Sequence, residues 1–395
     1  MTVAASPSHR PHRPRWRACL AALLIVVAAC APLRPSVAPK PPAPTAAPAL
    51  RVVAFAELPG WAADRHAEAL VVFIAGCKGV KPNQPLSDVC VAARGVPAGD
   101  DTAARAFFEA RFEAVELVNA NGSSEGLVTG YYEPVIRACR SRKPDCSVPV
   151  HGVPDDLLTI DLTAIDPDLK GKRLRGRLDG RKVVPYASRA EIDARTANGK
   201  PLVAPVLAWA ADPVDLFFMQ VQGSGRLLLE DGSVLRLGYA DQNGHPYKPV
   251  GRVLVDRGAL ARDGVSMQSI RDWLAAHPDQ RDTVLATNPS YVFFRELPAS
   301  DDGPIGSLGV PLTAGRSIAV DVNAIPLGSP VWLATTDPDT AAPIQRLMAA
   351  QDTGGAIRGT VRADLFWGRG EAAAHTAGRM QQAGRLWLLR PRSTN

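Results

Sequence analysis

Short apolar runs separated by turn-forming residues dominate this chain from about residue 126, and they constrain its fold more than any other feature. LVTGYYEPV, KVVPYAS and DLFFMQVQGSGRLLLEDGSVLRLGYA carry the pattern to about residue 260, and SYVFFREL, SIAVDV, PVWLAT, RLMAAQDTGG and RLWLLRP repeat it near the C-terminus. Runs of this length bounded by Gly, Pro, Asn and Asp are typical of strands in a barrel or sandwich. The EDGS segment at 230–233 predicts a hairpin turn. We therefore expect a mainly β protein.

A few segments instead show helical spacing of their apolar residues. Asp100 or Asp101 is a candidate cap for a helix in which Phe107, Phe108 and Phe112 recur on one face. The helices predicted in this way cover residues 66–76, 102–117, 266–276 (with Ser266 as its cap) and about 371–382. The 395 residues suffice for two domains with separate cores.

The N-terminal segment has the pattern of an export signal. A basic stretch at 10–17 precedes an apolar run at 18–29, which is too short to span a membrane. Small residues lead directly to Cys30, as in the lipobox of bacterial lipoproteins, so residues 1–29 are predicted to be a lipoprotein signal peptide. An ordinary cleavable signal with a chance cysteine is the alternative. Ala31 rather than Asp follows Cys30, which favours the outer membrane, facing the periplasm.

Residues 30–49 are rich in Pro and Ala, which predicts an extended tether. The formal net charge of the chain is +6. The signal contributes four arginines and no acid, so the remainder carries only +2. A nearly neutral protein lacks the electrostatic footprint of a nucleic-acid binder.

Four cysteines remain once Cys19 in the signal and Cys30 are set aside. In an oxidising compartment an even set predicts disulfides. We expect the local pairs Cys77–Cys90 and Cys139–Cys146, although four cysteines allow three connectivities. A zinc site is the rival interpretation, but the sequence has no CxxC pair with a nearby histidine. No metal and no cofactor are expected, because the histidines show no ligand spacing.

Three stretches concentrate Gly, aromatic and polar side chains beyond what a core needs. The first is 128–134, the second combines 217–226 and 238–247, and the third combines 288–296, 351–359 and 362–368. Such side chains suit sugars, which are bound by aromatic faces and by groups that both donate and accept hydrogen bonds. Asp352 is the candidate acid, because it ends an apolar run predicted to be a strand. A carboxyl group there would lose solvation, and its pKa would rise toward the value a general acid needs. The alternative is an aspartate that only caps the DTGG turn.

Seven segments occur in an order that resembles the membrane-bound lytic murein transglycosylase A family. They are GYYEP, FFMQVQGSG, GYADQNGHPY, NPSYVFFRE, DVNAIPLGSPVW, QDTGGAIRG and RADLFWGRG, and the resemblance covers about residues 100–391. The C-terminal part resembles the 3D domain, which is named for three aspartates. By position these are Asp321, Asp352 and Asp364.

The resemblance implies a double-psi β-barrel built from residues 50–132 and 282–395, with a smaller β-barrel at 133–281 inserted into it. A groove between the two domains would hold a peptidoglycan glycan strand, and wall-remodelling proteins are possible partners. The implied reaction cleaves the bond between N-acetylmuramic acid and N-acetylglucosamine without water and leaves a 1,6-anhydromuramoyl end. Asp352 would be the catalytic acid/base, with supporting roles for Asp321 and Asp364.

Two alternatives remain, a water-using muramidase and a non-catalytic wall-binding lipoprotein. Gly223 and Gly225 are expected to let the backbone approach a sugar. The full set of expected substrate-binding residues is Thr129, Gly130, Tyr131, Gln222, Gly223, Ser224, Gly225, Asp241, Asn288 and Tyr291.

Overall fold

The computed structural model describes residues 51–392 apart from 83, 170, 171, 173 and 201. The predicted signal peptide, Cys30 and the tether lie outside the described residues. The α-helices are α1 (His66–Gly76), α2 (Ser87–Ala93), α3 (Asp101–Arg111), α4 (Arg189–Ala197), α5 (Pro213–Gln222), α6 (Val250–Asp256), α7 (Met267–Ala276), α8 (Pro278–Leu285) and α9 (Gly370–Arg379). Short 3-10 turns cover Phe55–Glu57, Trp61–Ala63, Cys77–Gly79, Pro167–Leu169 and Arg262–Gly264.

Strands provide most of the framework, which confirms the expected mainly β fold with some helices. They are β1 (Arg51–Val53), β2 (Phe112–Glu116), β3 (Gly126–Glu133), β4 (Val135–Cys139), β5 (Val148–His151), β6 (Leu158–Thr159), β7 (Arg175–Asp179), β8 (Lys182–Pro185), β9 (Val206–Ala210), β10 (Gly225–Leu228), β11 (Val234–Gln242), β12 (Val292–Leu297), β13 (Ser317–Val320), β14 (Pro330–Thr336), β15 (Pro343–Asp352), β16 (Arg362–Arg369) and β17 (Gln381–Pro391).

Six strands form a closed ring in the order β17–β14–β15–β13–β16–β3, because β3 also pairs with β17. The strands β1 and β2 extend this sheet from the other side of β17. Alternate residues of the ring point inward and form an apolar core that includes Val128, Ile318, Val331, Leu365 and Leu386. Closure leaves a barrel with few free edges, as the resemblance implied.

A second core covers one side of the barrel. Phe73 of α1 packs against Phe107 and Phe108 of α3. Trp332 and Trp387, which are cross-strand partners on β14 and β17, belong to the same cluster. The packed helices α1 and α3 therefore stabilise the barrel wall through apolar burial.

The second sheet has the order β12–β11–β10–β4–β9–β5, and a separate small sheet contains β6, β7 and β8. His151, the last residue of β5, and Tyr291, the residue before β12, are connected by a hydrogen bond of 2.9 Å between His151 Nδ1 and the tyrosine hydroxyl. The limits of the two domains remain a prediction. The pairing of β12 with β11 favours placing the C-terminal limit of the inserted domain after residue 297 rather than at 281.

Two secondary-structure predictions were wrong in part. The helix predicted for 102–117 ends at Arg111, because Phe112–Glu116 pairs with β1 and β17. The run around FFMQVQ, predicted as a strand, is the helix α5. Asp212 caps α5 with hydrogen bonds to the N–H groups of residues 214 and 215, and Gly223 ends it with a φ of 81°. The predicted EDGS hairpin, by contrast, is present between β10 and β11.

Both local disulfides are present, Cys77–Cys90 and Cys139–Cys146. The first connects the end of α1 to α2, and the second closes the turn after β4. Among the described residues, the one group with metal-ligand geometry is Cys139, Asp145 and Cys146. Its cysteines are bonded to each other, so the rival zinc interpretation is wrong at this place.

Candidate active site

Asp352 is the last residue of β15, and an irregularity in the strand sets its direction. Along the parallel pair β13–β15, Ile318 aligns with Ala350, but the next residue, Ala319, aligns with Asp352. The extra residue on β15 is Gln351, which forms a β-bulge, and bulges near active sites commonly re-aim a side chain. Gln351 is fully buried and hydrogen-bonds Ser317 and the carbonyl of Val72, so the bulge is fixed in place.

The bulge brings Asp352 into a row of aligned residues on neighbouring strands of the barrel wall, called here the aspartate row. Ala319 aligns with Asp352 on one side and with Asp364 of β16 on the other. Asp364 in turn aligns with Thr129 of β3. The two aspartates are thus two strand spacings apart, or about 10 Å at the backbone.

Asp352 accepts hydrogen bonds on both carboxyl oxygens. Oδ1 accepts from the N–H and the hydroxyl of Ser307, at 2.9 and 2.8 Å. Oδ2 accepts from the hydroxyl of Tyr131, at 3.2 Å. Burial raises the pKa of Asp352 above its ordinary value, whereas the hydrogen bonds from Ser307 and Tyr131 act in the opposite direction. These donors stabilise the ionised carboxylate.

Asp364 is held by fewer donors. Its Oδ1 accepts a hydrogen bond of 2.6 Å from the hydroxyl of Thr129. The Thr129 oxygen accepts in turn from Nη2 of Arg362, at 2.8 Å, which orients the threonine proton toward the carboxylate. Burial raises the pKa of Asp364 to about 6, against the lowering effects of Thr129 and Arg362, and the charge of Asp352 adds to the rise. Asp364 therefore titrates close to neutral pH.

Tyr131 is placed between the two carboxyl groups. Burial, followed by the negative charges of Asp352 and Asp364, raises its pKa well above the ordinary value, so the phenol keeps its proton and remains a donor. Its ring packs against Phe366 with 5.3 Å between centroids. The predicted site residues Thr129 and Tyr131 thus both contact an aspartate.

Ser307 was not predicted from the sequence. It lies at the tip of the Ser307 loop, defined here as residues 303–312, whose two arms meet through an antiparallel bridge between Ile305 and Pro311. A Cβ atom on Gly306 would lie 2.5 Å from the carbonyl oxygen of Gln351, so only glycine allows the loop this close to β15. The GSLG segment around Ser307 was the available sequence signal for this loop. The contact of Ser307 with Asp352 joins residues 45 positions apart, so the segment alone does not predict it.

Asp321, the third aspartate of the motif, has a different role. It is buried at the end of β13 and accepts hydrogen bonds from the N–H of Gly359, at 2.9 Å, and from Asn323. Burial raises the pKa of Asp321, but these hydrogen bonds outweigh it and hold the pKa below its ordinary value. Asp321 thus fixes the glycine-rich turn after β15 as a permanent anion, in agreement with a supporting role.

Three of the expected substrate-binding residues lie in the interior, and a substrate-binding role for them stays a prediction. Asn288 is buried and uses its Oδ1 to accept from the N–H groups of residues 248 and 290. Tyr291 is buried against Phe293 and bonded to His151. Gly225 is buried as well, and a Cβ atom there would lie 2.5 Å from the sulfur of Met219.

Two other glycines of the expected set are required for structural reasons. A Cβ atom on Gly130 would lie 2.7 Å from the Trp367 ring nitrogen and 2.9 Å from the Cα of Ala377, so Gly130 allows α9 to pack closely. Gly223 has open space around it, and its positive φ, which ends α5, is the feature that requires glycine.

The remaining predicted residues lie in the second sheet and in α5. Gln222 accepts a hydrogen bond of 3.1 Å from the N–H of Tyr132, which ties α5 to β3 next to Tyr131. Ser224 is half-buried just beyond α5. Asp241 forms an ion pair with Arg175 of the small sheet, at 2.9 Å. Gln222 thus approaches the aspartate row through β3, whereas Asp241 is already paired.

A cavity of about 1280 Å³ adjoins the row at its Thr129 end. Residues of α5, α7 and α9 line it, together with Gln381, the cross-strand partner of Thr129. Asp352 and Asp364 do not line this cavity, so it borders the aspartate row from the side. Within the described part of the chain, no helix is long and apolar enough to cross a membrane.

Comparison with known proteins places this architecture in a defined class. Residues 127–295 match the MltA specific insert domain, and residues 316–390 match the 3D domain. The class is therefore that of 3D-domain proteins that carry this insert. The chain belongs to the membrane-bound lytic murein transglycosylase A family. A member named membrane-bound lytic murein transglycosylase A, from Escherichia coli strain K12, is 34% identical over 300 residues, covering 74% of this chain and 73% of that protein.

Solved structures agree with this assignment. MltA from Neisseria gonorrhoeae is 39% identical, with a TM-score of 0.76 over 88% of this chain and 93% of that one. A structure of E. coli MltA with bound chitohexaose is 30% identical, with a TM-score of 0.63 over 83% of this chain and 90% of that one. The resemblance expected from the seven segments is thus confirmed.

Proposed function

We propose that this protein is a peptidoglycan lytic transglycosylase whose reaction takes place at the aspartate row. It cleaves the β-1,4 bond between N-acetylmuramic acid and N-acetylglucosamine. The observation that carries the proposal is the pair Asp352 and Asp364, two carboxyl groups with raised pKa values on one face of the barrel. Family membership supports the same function, and the bound chitohexaose of the E. coli relative supports a glycan substrate.

A single carboxyl group can perform both proton transfers of this reaction. The protonated acid donates its proton to the glycosidic oxygen while the bond from that oxygen to C1 of the muramoyl residue breaks. The carboxylate then takes the proton of the muramoyl 6-hydroxyl as this oxygen bonds to C1. The products are a free 4-hydroxyl and a 1,6-anhydromuramoyl end, and no water is consumed.

The sequence favours Asp352 as this acid/base, and that assignment remains a prediction. Burial raises the pKa of Asp352 in spite of its three hydrogen-bond donors, which supports its role as the group that carries the proton. Asp364 accepts from Thr129 alone and has a pKa raised to about 6, so it is the second candidate for that role.

The test compares Asp352→Asn and Asp364→Asn with a surface control, Asp282→Asn, whose side chain is 78% exposed. The full-length protein in detergent is incubated with purified sacculi, and the released ends are analysed by mass spectrometry. Asp352→Asn is expected to lose nearly all turnover and Asp364→Asn to lose less, while both variants remain folded and unfold cooperatively. Full turnover in both Asn variants would remove the pair from the mechanism.

A water-using muramidase is the second candidate. Inverting hydrolases hold two carboxyl groups about 6.5–9.5 Å apart, and the backbone separation of Asp352 and Asp364, about 10 Å, allows such a distance. The same mass spectra distinguish the two reactions, because a reducing end is heavier than an anhydro end by one water. Reducing ends as the primary product would favour the hydrolase.

The protein is proposed to act at the outer membrane, facing the periplasm and anchored through a lipid on Cys30. The word "membrane-bound" in the names of its relatives supports membrane association. The glycan strand is proposed to run between the barrel and the second sheet, where Gln222 and the cavity beside Thr129 lie. Substitution of Gln222 by Ala is expected to raise KM for sacculi more than it lowers kcat.

A further inference from the structure

Arg226 lies in the second sheet, far along the chain from the aspartate row, and yet it is almost fully buried. It occupies β10 opposite Arg236 of β11, and only 6% and 5% of the two residues are exposed. Burying a guanidinium group is costly unless its donors are satisfied. The contacts of Arg226 therefore indicate what its charge does in this protein.

The two arginines hold the base of the Ser307 loop by its backbone. Arg226 donates from Nη1 to the carbonyl of Ser300, at 3.0 Å, and from Nη2 to that of Asp302, at 2.6 Å. Arg236 donates to the carbonyls of residues 298, 302 and 303, at 3.0, 3.1 and 2.9 Å. The chain enters the loop at Gly303 and reaches Ser307 four residues later.

Arg226 also holds the strand that carries the other donor to Asp352. Its Nε donates to Oε2 of Glu133, at 2.9 Å, in an ion pair whose side chains are 7% and 2% exposed. Glu133 is the last residue of β3, two positions after Tyr131. One planar guanidinium group thus connects the end of β3 to the base of the Ser307 loop, and its fork fixes their mutual position.

We propose that Arg226 is a positioning residue for Asp352, because it sets the separation of Tyr131 and Ser307, the two side chains that donate to its two carboxyl oxygens. The inference rests on the proposed function for its kinetic consequence. The positioning role itself is supported by the contacts of Arg226, whatever reaction the protein catalyses. Arg226 touches neither aspartate and acts through the elements that carry their partners.

The first test is Arg226→Lys, which keeps the charge but cannot bond Glu133, Ser300 and Asp302 together. We expect kcat on sacculi to fall at least about tenfold with little change in KM, since a small misplacement of catalytic groups has a large effect on rate. The matched control is Arg316→Lys. Arg316 is a buried arginine bonded to Asp64 and Glu68, and it contacts neither Tyr131 nor Ser307.

The second readout is independent of activity. Weaker donation from Ser307 and Tyr131 raises the pKa of Asp352, so its carboxyl ¹³C titration midpoint should move to higher pH by about one unit in Arg226→Lys. The other ionisable groups near this carboxyl are Tyr131 and Asp364, and Arg362 faces Asp364; all are retained in the variant. An unchanged midpoint overturns the inference whether or not the protein is active.

A double-mutant comparison separates positioning from a general loss of stability. If Arg226 acts through the loop, the effects of Arg226→Lys and Ser307→Ala on kcat should be clearly less than multiplicative in the double variant. Fully multiplicative losses, or an equal loss in Arg316→Lys, would overturn the inference. Wild-type protein that releases no anhydro ends would instead refute the proposed function, and the midpoint measurement would still decide the role of Arg226.

Discussion

At the scale of single residues, the two carboxyl groups of the row differ in what surrounds them. Asp352 has the hydroxyl and N–H of Ser307 on one oxygen and Tyr131 on the other, whereas Asp364 has Thr129. Burial raises the pKa of both carboxyl groups, and the donors and neighbouring charges that act on each pKa differ between the two positions.

Asp364 should make the protein less stable as the pH rises. Burial raises its pKa from 3.8 to about 6, so its contribution to stability is fully present below about pH 4 and is lost as the pH rises through 6. Asp364→Asn removes this dependence. We expect the variant to gain about 2–3 kcal/mol relative to wild type between pH 4 and pH 8. Urea unfolding at the two pH values measures the gain, and equal differences at both would contradict it.

Tyr131→Phe removes the hydroxyl from Asp352 and keeps the ring that packs on Phe366. We expect kcat to fall about tenfold or more, since a positioned donor is lost, while stability changes by less than about 1 kcal/mol. The hydroxyl lowers the pKa of Asp352, so its loss should move the limb of the pH–rate profile controlled by Asp352 to higher pH. A wild-type profile would show that the phenol does not act on this carboxyl.

At the scale of elements, five of the six ring strands were predictable as short apolar runs bounded by turn residues, whereas β16, which carries Arg362 and Asp364, was not among the predicted runs. The helix α5 was not, because the apolar run FFMQVQ has no clear period. Asp212 and Pro213 before it and Gly223 after it were the signals that distinguish a capped helix from a strand. The site was predictable only where its residues lie within a motif, as Tyr131 and Asp352 do. Ser307 reaches Asp352 through tertiary structure alone.

The Ser307 loop offers two glycines that test its close approach to β15. Gly306→Ala would place a Cβ atom 2.5 Å from the Gln351 carbonyl oxygen, so the loop must move away and activity should fall more than tenfold. Gly309 has a φ of 83° but open space around it. Gly309→Ala should therefore cost only about 1 kcal/mol and keep most of the activity. Equal losses in the two variants would contradict this account.

At the scale of the whole molecule, the Cys77–Cys90 disulfide fastens the helical layer that covers the barrel. It closes a loop with a sequence separation of 13. Replacement of both cysteines by Ala should lower the free energy of unfolding by about 3 kcal/mol, with a smaller loss for the Cys139–Cys146 pair, whose separation is 7. Chemical denaturation of the two double variants measures the order, and a larger loss at the second bridge would reverse it.

The closed ring has a consequence for when the protein can first become active. Its seam lies between β3, near residue 130, and β17, which ends at residue 391, so the first and last strands of the ring must meet. A chain that leaves a ribosome or an export channel with its N-terminus first cannot complete the wall until its final stretch has emerged. The two aspartates lie on β15 and β16, on either side of β13 in that wall, and any nascent fragment that lacks β17 is expected to be inert toward the sacculus.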